Sequence, residues 1–258
     1  MALKSLRHTL AFLLYPIVPL SALSCVSSLE RSLKEVNVPD GVDQVVLVTT
    51  DGWEADSGTM RLFERVEGGW RESGTCMDVV VGRNGMGWGC GIPWDAKEGP
   101  LKTEGDGRSP AGAFEFQTAF GYDSLPPEGT RMPYRSITKD DYFVDDPLSE
   151  DYNRWVRLES GKDPSARWRS FERMLRPDGL YSLGIVIKHN SDPVVKGKGS
   201  AIFIHIWKSA KMPTAGCTAL SRPDLLRLLG WLDPQKSPLL LQLPIHEIKD
   251  FRIRPPFD

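Results

Sequence analysis

Apolar residues along the 258-residue chain gather in short runs broken by Gly, Pro and polar turns, with no long periodic stripe. Seven runs read as strands: Gln44–Thr50, Thr59–Val66, Met77–Gly82, Ala113–Thr118, Leu183–Lys188, Ala201–Trp207 and Leu239–Leu243. Each is rich in Val, Ile, Phe or Leu and bounded by Gly or Pro, as segments on a pleated, half-buried surface are. One helix is marked, over Ser221–Leu232. Ser221 serves as its cap, and Asp224 three residues on approximates a capping box. Pro223 is tolerated in the first turn; Leu225, Leu226, Leu228, Leu229 and Leu232 supply the apolar face, and Pro234 stops it. The stretch Asp145–Arg173, with Trp155, Trp168 and Phe171 among many charges, is a candidate for further helix without definable ends. The pattern predicts a mainly β fold, β-rich α+β, in which a sandwich or barrel carries a few packed helices.

The start of the chain follows a different rule. Lys4 and Arg7 precede an apolar stretch from Leu10 to Leu20, after which Ser21, Ala22, Ser24 and Cys25 are small and polar. Eleven residues with Pro16 and Pro19 among them are too few to span ~30 Å of hydrocarbon, so residues 1–24 read as an export signal. Cleavage would follow Ser24, or a lipid would be attached at Cys25. The second route resembles a bacterial lipoprotein signal, with Ala22 where Leu is common. Residues 25–41, holding Ser27, Ser28, Lys34, Glu35 and Pro39, read as a polar tether. The expected location is the periplasm or cell envelope, with a membrane anchor if Cys25 is lipidated.

Composition narrows the function. Lys plus Arg is 32 against 34 Asp plus Glu, a net charge of −2, which lacks the basic excess of a chain built to hold nucleic acid. The 24 Gly and 20 Pro are scattered, in keeping with many turns. Of the cysteines beyond Cys25, Cys76 and Cys90 lie 14 residues apart and are either bridged, worth about 3 kcal/mol in loop entropy, or free thiols. Cys217 stands alone, and an unpaired thiol in an exported protein calls for an explanation.

The run Ala201-Ile202-Phe203-Ile204-His205-Ile206-Trp207 alternates, which puts His205 on one strand face with Phe203 and Trp207. A polar loop, Lys208–Pro213, then leads to Thr214-Ala215-Gly216-Cys217. A histidine at a strand end and a cysteine 12 residues later can be brought face to face by that one loop. Such a pair suits thiolate–imidazole chemistry, in which the thiolate attacks a carbonyl. Gly216, free of a side chain, can turn its own N–H and that of Cys217 toward a developing oxyanion.

At these residues the chain resembles the L,D-transpeptidase family, the YkuD-type peptidoglycan cross-linking enzymes, whose core motif is a His followed by Ser/Thr-x-Gly-Cys. Val81-Gly82-Arg83-Asn84-Gly85, the run Glu104-Gly105-Asp106-Gly107-Arg108-Ser109-Pro110-Ala111-Gly112, and Gly197-Lys198-Gly199-Ser200 resemble it too. The resemblance covers roughly residues 42–245, which it makes the catalytic domain, and leaves 246–258 as a C-terminal tail. The chain departs from the family pattern in a shorter His-to-Cys interval, in Ala215 where a His is common, and in Thr218 and Ala219 where an Arg is expected. The resemblance implies that Cys217 attacks the carbonyl joining the third residue of a peptidoglycan stem tetrapeptide to its terminal D-alanine. His205 would take the thiol proton and protonate the leaving amine, with Thr214 as the group that orients His205. It implies no cofactor and no metal, stem peptides as partners, and an amine or water as the group that resolves the thioester.

Other readings have less behind them. Ser136-Ile137-Thr138-Lys139 matches the Ser-x-x-Lys of penicillin-binding proteins, but neither Ser-Asp-Asn nor Lys-Thr-Gly follows. The histidines His8, His189, His205 and His246 are too dispersed for a zinc hydrolase. Asp145, Asp146, Tyr152 and Asn153 are candidates for lining a cleft, or for a solvated loop. A carboxypeptidase or amidase would share the acyl-enzyme, and a non-catalytic envelope protein binding cell-wall peptides would have no use for both His205 and Cys217.

Overall fold

A computed structural model describes residues 29–95 and 98–254; the expected export signal and Cys25 lie outside them. Fourteen strands follow one another: β1 (Gln44–Thr50), β2 (Ser57–Val66), β3 (Gly69–Glu72), β4 (Met77–Val80), β5 (Met86–Trp88), β6 (Ser109–Gly121) and β7 (Tyr134–Ser136), then β8 (Asp141–Phe143), β9 (Trp155–Arg157), β10 (Glu172–Arg173), β11 (Leu183–Ile187), β12 (Phe203–Ile206), β13 (Thr218–Leu220) and β14 (Leu239–Pro244). Helix α1 (Arg222–Trp231) lies between β13 and β14.

The main sheet runs β1-β14-β6-β11-β12-β13-β4-β2, and β1 also pairs antiparallel with β2, so the eight strands close on themselves. Closure removes the exposed sheet edges of those strands. Its interior is apolar: Val46, Leu62, Phe114, Ile185, Ile204 and Leu240, all buried, share the inward face by register. The 13-residue β6 is the spine, pairing with β14 and β11 and also carrying β5 and β7. Helix α1 packs Leu225, Leu228 and Leu229 into the same core; the Ser221 hydroxyl accepts from the Asp224 N–H at 3.2 Å, the cap the sequence specifies.

A second, smaller sheet, β10-β8-β9, lies beside the barrel. It rests on a separate aromatic cluster in which Phe143 and Tyr181 both meet Phe203 edge to face, at 5.0 and 5.4 Å, and Cys217 belongs to this cluster. The small sheet therefore covers the face of β12 that bears Phe203, the face opposite Ile202 and Ile204.

Three expectations are corrected. The stretch Asp145–Arg173 holds no α-helix; a strand at Trp155–Arg157 and a 3-10 turn at Pro164–Ala166 occupy it, where Pro164 and Gly161 interrupt any helical run. Residues 29–35 are helical, and Leu29, Leu33 and Val36 are buried in the main core, so this part of the expected tether is docked. Burying a Leu or Val side chain contributes ~1.5–3 kcal/mol, ample reason for it to dock. The expected tail is likewise held, with Ile248, Phe251 and Ile253 in the core and the Ile253 N–H donating to the Val36 carbonyl at 2.9 Å. Among the described residues no helix is long and apolar enough to cross a membrane, and Cys76 and Cys90 are free thiols.

Candidate active site

Strands β12 and β13 run parallel, with His205 opposite Ala219, so the residue just before β13 lies at the start of β12, two residues from His205 in register. That residue is Cys217. The loop between them returns the chain through Thr214 and Gly216, and three glycine-rich stretches, distant in sequence, converge to fix it. The Thr214 N–H donates to the Val81 carbonyl at 2.8 Å, and its carbonyl accepts from the Arg83 N–H at 2.9 Å. The Ser109 hydroxyl donates to the Cys217 carbonyl at 2.9 Å and accepts from the Gly82 N–H at 2.9 Å. Gly82 cannot be replaced here, because a Cβ would stand 2.3 Å from the Gly107 carbonyl oxygen. On the far side, Ser200 donates to Glu104 at 2.7 Å, and the Glu104 N–H to the Gly197 carbonyl at 2.9 Å.

Cys217 and His205 line one cleft of about 360 Å³. Both are nearly sealed, at 7% and 6% exposure, so desolvation dominates their chemistry. Burial pushes the Cys217 thiol up to about 12, with the Glu172 carboxylate adding to the rise. Burial pushes the His205 imidazole down to about 4. The resting pair is therefore neutral. The thiol donates to the Ala201 carbonyl and accepts from the Phe203 N–H, both at 3.4 Å, and no hydrogen bond joins it to His205 among the described contacts.

The imidazole is oriented by its own strand. His205 Nδ1 lies 2.8 Å from the Ile206 carbonyl, which can only accept, so the proton sits on Nδ1 and Nε2 is left as the acceptor. The Tyr181 ring meets His205 edge to face at 5.1 Å, and the Tyr181 hydroxyl donates to the Glu172 carboxylate. Glu172 is raised above the usual carboxylate range by burial.

These bonds correct two expected roles. Thr214 does not orient His205: its hydroxyl donates to the Cys217 carbonyl at 2.5 Å and its carbonyl is held by Arg83. Gly216 does not offer its own N–H to the cleft, since that N–H donates to the Thr214 hydroxyl at 3.1 Å. Thr214 and Gly216 instead shape the turn that presents Cys217. Gly216 adopts φ +154°, and a Cβ there would lie 3.1 Å from the Arg108 carbonyl oxygen.

Of the four residues considered for a cleft wall, Asp145 lines it. Tyr152 works from behind, donating to Glu104 and accepting from the Gly199 N–H at 3.1 Å. Asp146 accepts from the Leu148 and Arg169 N–H groups, both at 3.0 Å, and Asn153 pins the Ala201 N–H and the His189 and Asn190 carbonyls. Tyr181, Glu172 and Arg176 were not singled out by the sequence. Glu172 opens the two-residue β10, and Arg176 and Tyr181 lie in the irregular chain between β10 and β11, where no periodicity or spacing marks a residue as facing His205.

Comparison with curated proteins found no match. Among solved structures, the crystal structure of the helical cell shape determining protein Pgp2 from Campylobacter jejuni is similar at 15% identity and a TM-score of 0.37, covering 83% of this chain and 54% of that one. This chain thus spans about half the length of that protein. A family model, the YkuD L,D-transpeptidase catalytic domain, matches residues 54–241, which take in the closed barrel's pairing of β12 with β13, His205 and Cys217, and the chain belongs to that family.

Proposed function

We propose that the chain is a cysteine-dependent acyltransferase of the cell envelope, acting on peptidoglycan stem tetrapeptides. The observation that carries this reading is the sharing of one cleft by the Cys217 thiol and a His205 whose Nε2 is left unprotonated. In the reaction, Nε2 accepts the thiol proton as Sγ attacks the carbonyl carbon that links the third residue to D-alanine. The C–N bond of the tetrahedral adduct then breaks, and His205 returns the proton to the departing D-alanine amine. A thioester on Cys217 remains. An incoming amine attacks it, gives up a proton to His205, and the thiol is regenerated.

The neutral resting pair fits a cleft that waits for its substrate. With the thiol near 12 and the imidazole near 4, thiolate and imidazolium are scarcely populated until a ligand alters the surroundings of Sγ. A buried thiol of this kind is also protected from oxidation in the envelope, where an exposed thiolate would not last. Export by the amino-terminal segment is part of the same proposal, since the substrate lies outside the cytoplasm.

Incubating the purified protein with tetrapeptide muropeptides and reading the products by mass spectrometry tests this. Loss of D-alanine with a cross-linked dimer is the expected result. Tripeptide alone would identify a hydrolase using the same thioester. No change in the peptides would overturn the reading.

A further inference from the structure

The cleft is lined by charges of both signs. The carboxylates of Glu104, Asp145 and Glu172 line it together with the cations Lys102, Lys208 and Arg176, the last on the loop before β11. We infer that Arg176 holds the carboxylate of the residue that leaves, making a free carboxyl terminus next to the cleaved bond the specificity requirement of this cleft. The inference rests on the acyl-transfer reading above and names the part of the substrate that this chain's own residues select.

The direction follows from the proton path. His205 protonates the departing amine, so the departing residue lies on the His205 side of the cleft. When that residue is a single terminal amino acid, its carboxylate is one carbon from the amine and must be accommodated on the same side. There the wall is a ladder of three rings and planes: the Tyr181 ring stands 5.1 Å from His205, and the Arg176 guanidinium lies 4.9 Å over the Tyr181 ring.

Arg176 is also held as a recognition group would be. Its N–H and carbonyl are both bonded to the Tyr122 hydroxyl, at 2.9 and 3.0 Å, which fixes the backbone. Asp178 grips the Nε and Nη2 edge, at 3.0 and 2.6 Å, and is itself fixed by the Leu180 N–H at 3.2 Å. Nη1 makes no bond among the described contacts, and the side chain is 35% exposed, so donors remain for an anion on a plane that is already oriented. Glu172, the other carboxylate of this wall, is occupied by the Tyr181 hydroxyl.

The other cations of the cleft are less suited. Lys102 is 4% exposed and spent on Asp106 at 2.6 Å and the Thr103 carbonyl at 2.8 Å. Lys208 is exposed and no described bond holds it in one place. A carboxylate placed toward Glu104 and Asp145 would meet like charge. Arg176 is thus the cation that combines fixed position with unused donors.

The test compares two donor peptides with the same sequence, one ending in free D-alanine and one in D-alaninamide. Wild type should prefer the free acid by about tenfold to hundredfold in kcat/KM, the range expected of a charge-assisted bond. Arg176→Gln should bring the ratio near one, and Arg176→Lys should retain part of it, with thermal melts showing that each variant is folded. An unchanged ratio in folded Arg176→Gln overturns the inference. So does a wild-type enzyme that turns over both peptides equally, a result that needs no variant to fold. If wild type turns over neither peptide, the acyl-transfer reading itself has failed, and this is seen before any variant is made.

Discussion

Asp141 is the joint of the small sheet that covers Cys217, and removing its charge should be felt in both stability and turnover. It is 1% exposed, and its carboxylate accepts from six donor atoms: Arg135 Nη2 at 2.7 Å, Arg157 Nε and Nη2 at 3.0 and 2.7 Å, Thr138 N and Oγ1 at 2.8 Å each, and Trp155 Nε1 at 2.9 Å. Burial alone would raise its pKa, but the bonds from Arg157, Thr138 and Trp155 outweigh it and hold the carboxyl below the usual range. Asp141→Asn keeps the shape, yet one amide oxygen can accept only about two of those bonds, and its NH2 faces guanidinium groups. Breaking a buried pair costs about 3–5 kcal/mol. Arg135 and Arg157 have side chains 33% and 45% exposed and can turn to water, which places the expected loss near the low end, about 3 kcal/mol. For a domain of this size that is a fall in Tm of about 6–12 °C. Thermal unfolding at pH 7 measures it. Because the folded pKa lies below the unfolded one, the contribution is fully present above the unfolded value, about 3.9, and is lost as pH falls through the folded value, so wild type and variant should converge in acid. Phe143 of β8 packs on Phe203, so kcat/KM should fall as well. A variant whose Tm stays within about 2 °C of wild type at pH 7 would refute this account of the small sheet.

Four further outcomes are expected. With His205 near 4, about 90% of the imidazole is neutral at pH 5, against about 3% for an ordinary histidine, so the acid limb of the kcat/KM profile should lie near pH 4; a limb near 6.5 would contradict the burial argument. His189 is also pushed down to about 4 by burial, so the unfolded chain binds more protons than the folded one between about pH 6.5 and 4, and thermal melts should show stability dropping through that window. Gly216→Ala should cut turnover at least about tenfold while costing only ~1–3 kcal/mol in urea unfolding, since it strains the turn that presents Cys217 and leaves the core intact. Thr214→Val removes the hydroxyl between the Cys217 carbonyl and the Gly216 N–H and should lower kcat with little effect on the pH profile, whereas a shift of the acid limb would mean Thr214 acts on His205 after all.

The seven strand-like runs all fall on strands of the barrel because each is apolar on a short, Gly- or Pro-bounded segment, and closure demands that nearly every residue of a strand such as β1 be buried. The Ser221 cap was legible for a local reason, a side-chain oxygen placed to meet its own first turn. What composition hid was the long-range fit. Leu33 and Ile253 sit in segments that look polar on average, and only their burial in the main core marks them. The aromatic stretch from Trp155 to Phe171 suggested helix, but Arg157 is bound to Asp141 on the neighbouring strand, a pairing that no local pattern announces. At the site, His205 and Cys217 were visible from strand alternation, the Gly-Cys turn and the family resemblance together, while the orienting bond came from the Ile206 carbonyl, a backbone group that no side-chain motif encodes.

The central claim is that Cys217 carries the acyl group and His205 moves its proton. Intact-mass spectrometry of the protein quenched during turnover of the tetrapeptide, or after exposure to a carbapenem as the family resemblance indicates, tests it directly. A covalent adduct that peptide mapping assigns to Cys217 is expected, absent in Cys217→Ala and formed slowly in His205→Ala, faster only as pH rises toward the thiol's own ionisation. Equal adduct formation on Cys217→Ala, or turnover that survives loss of the thiol, would contradict it.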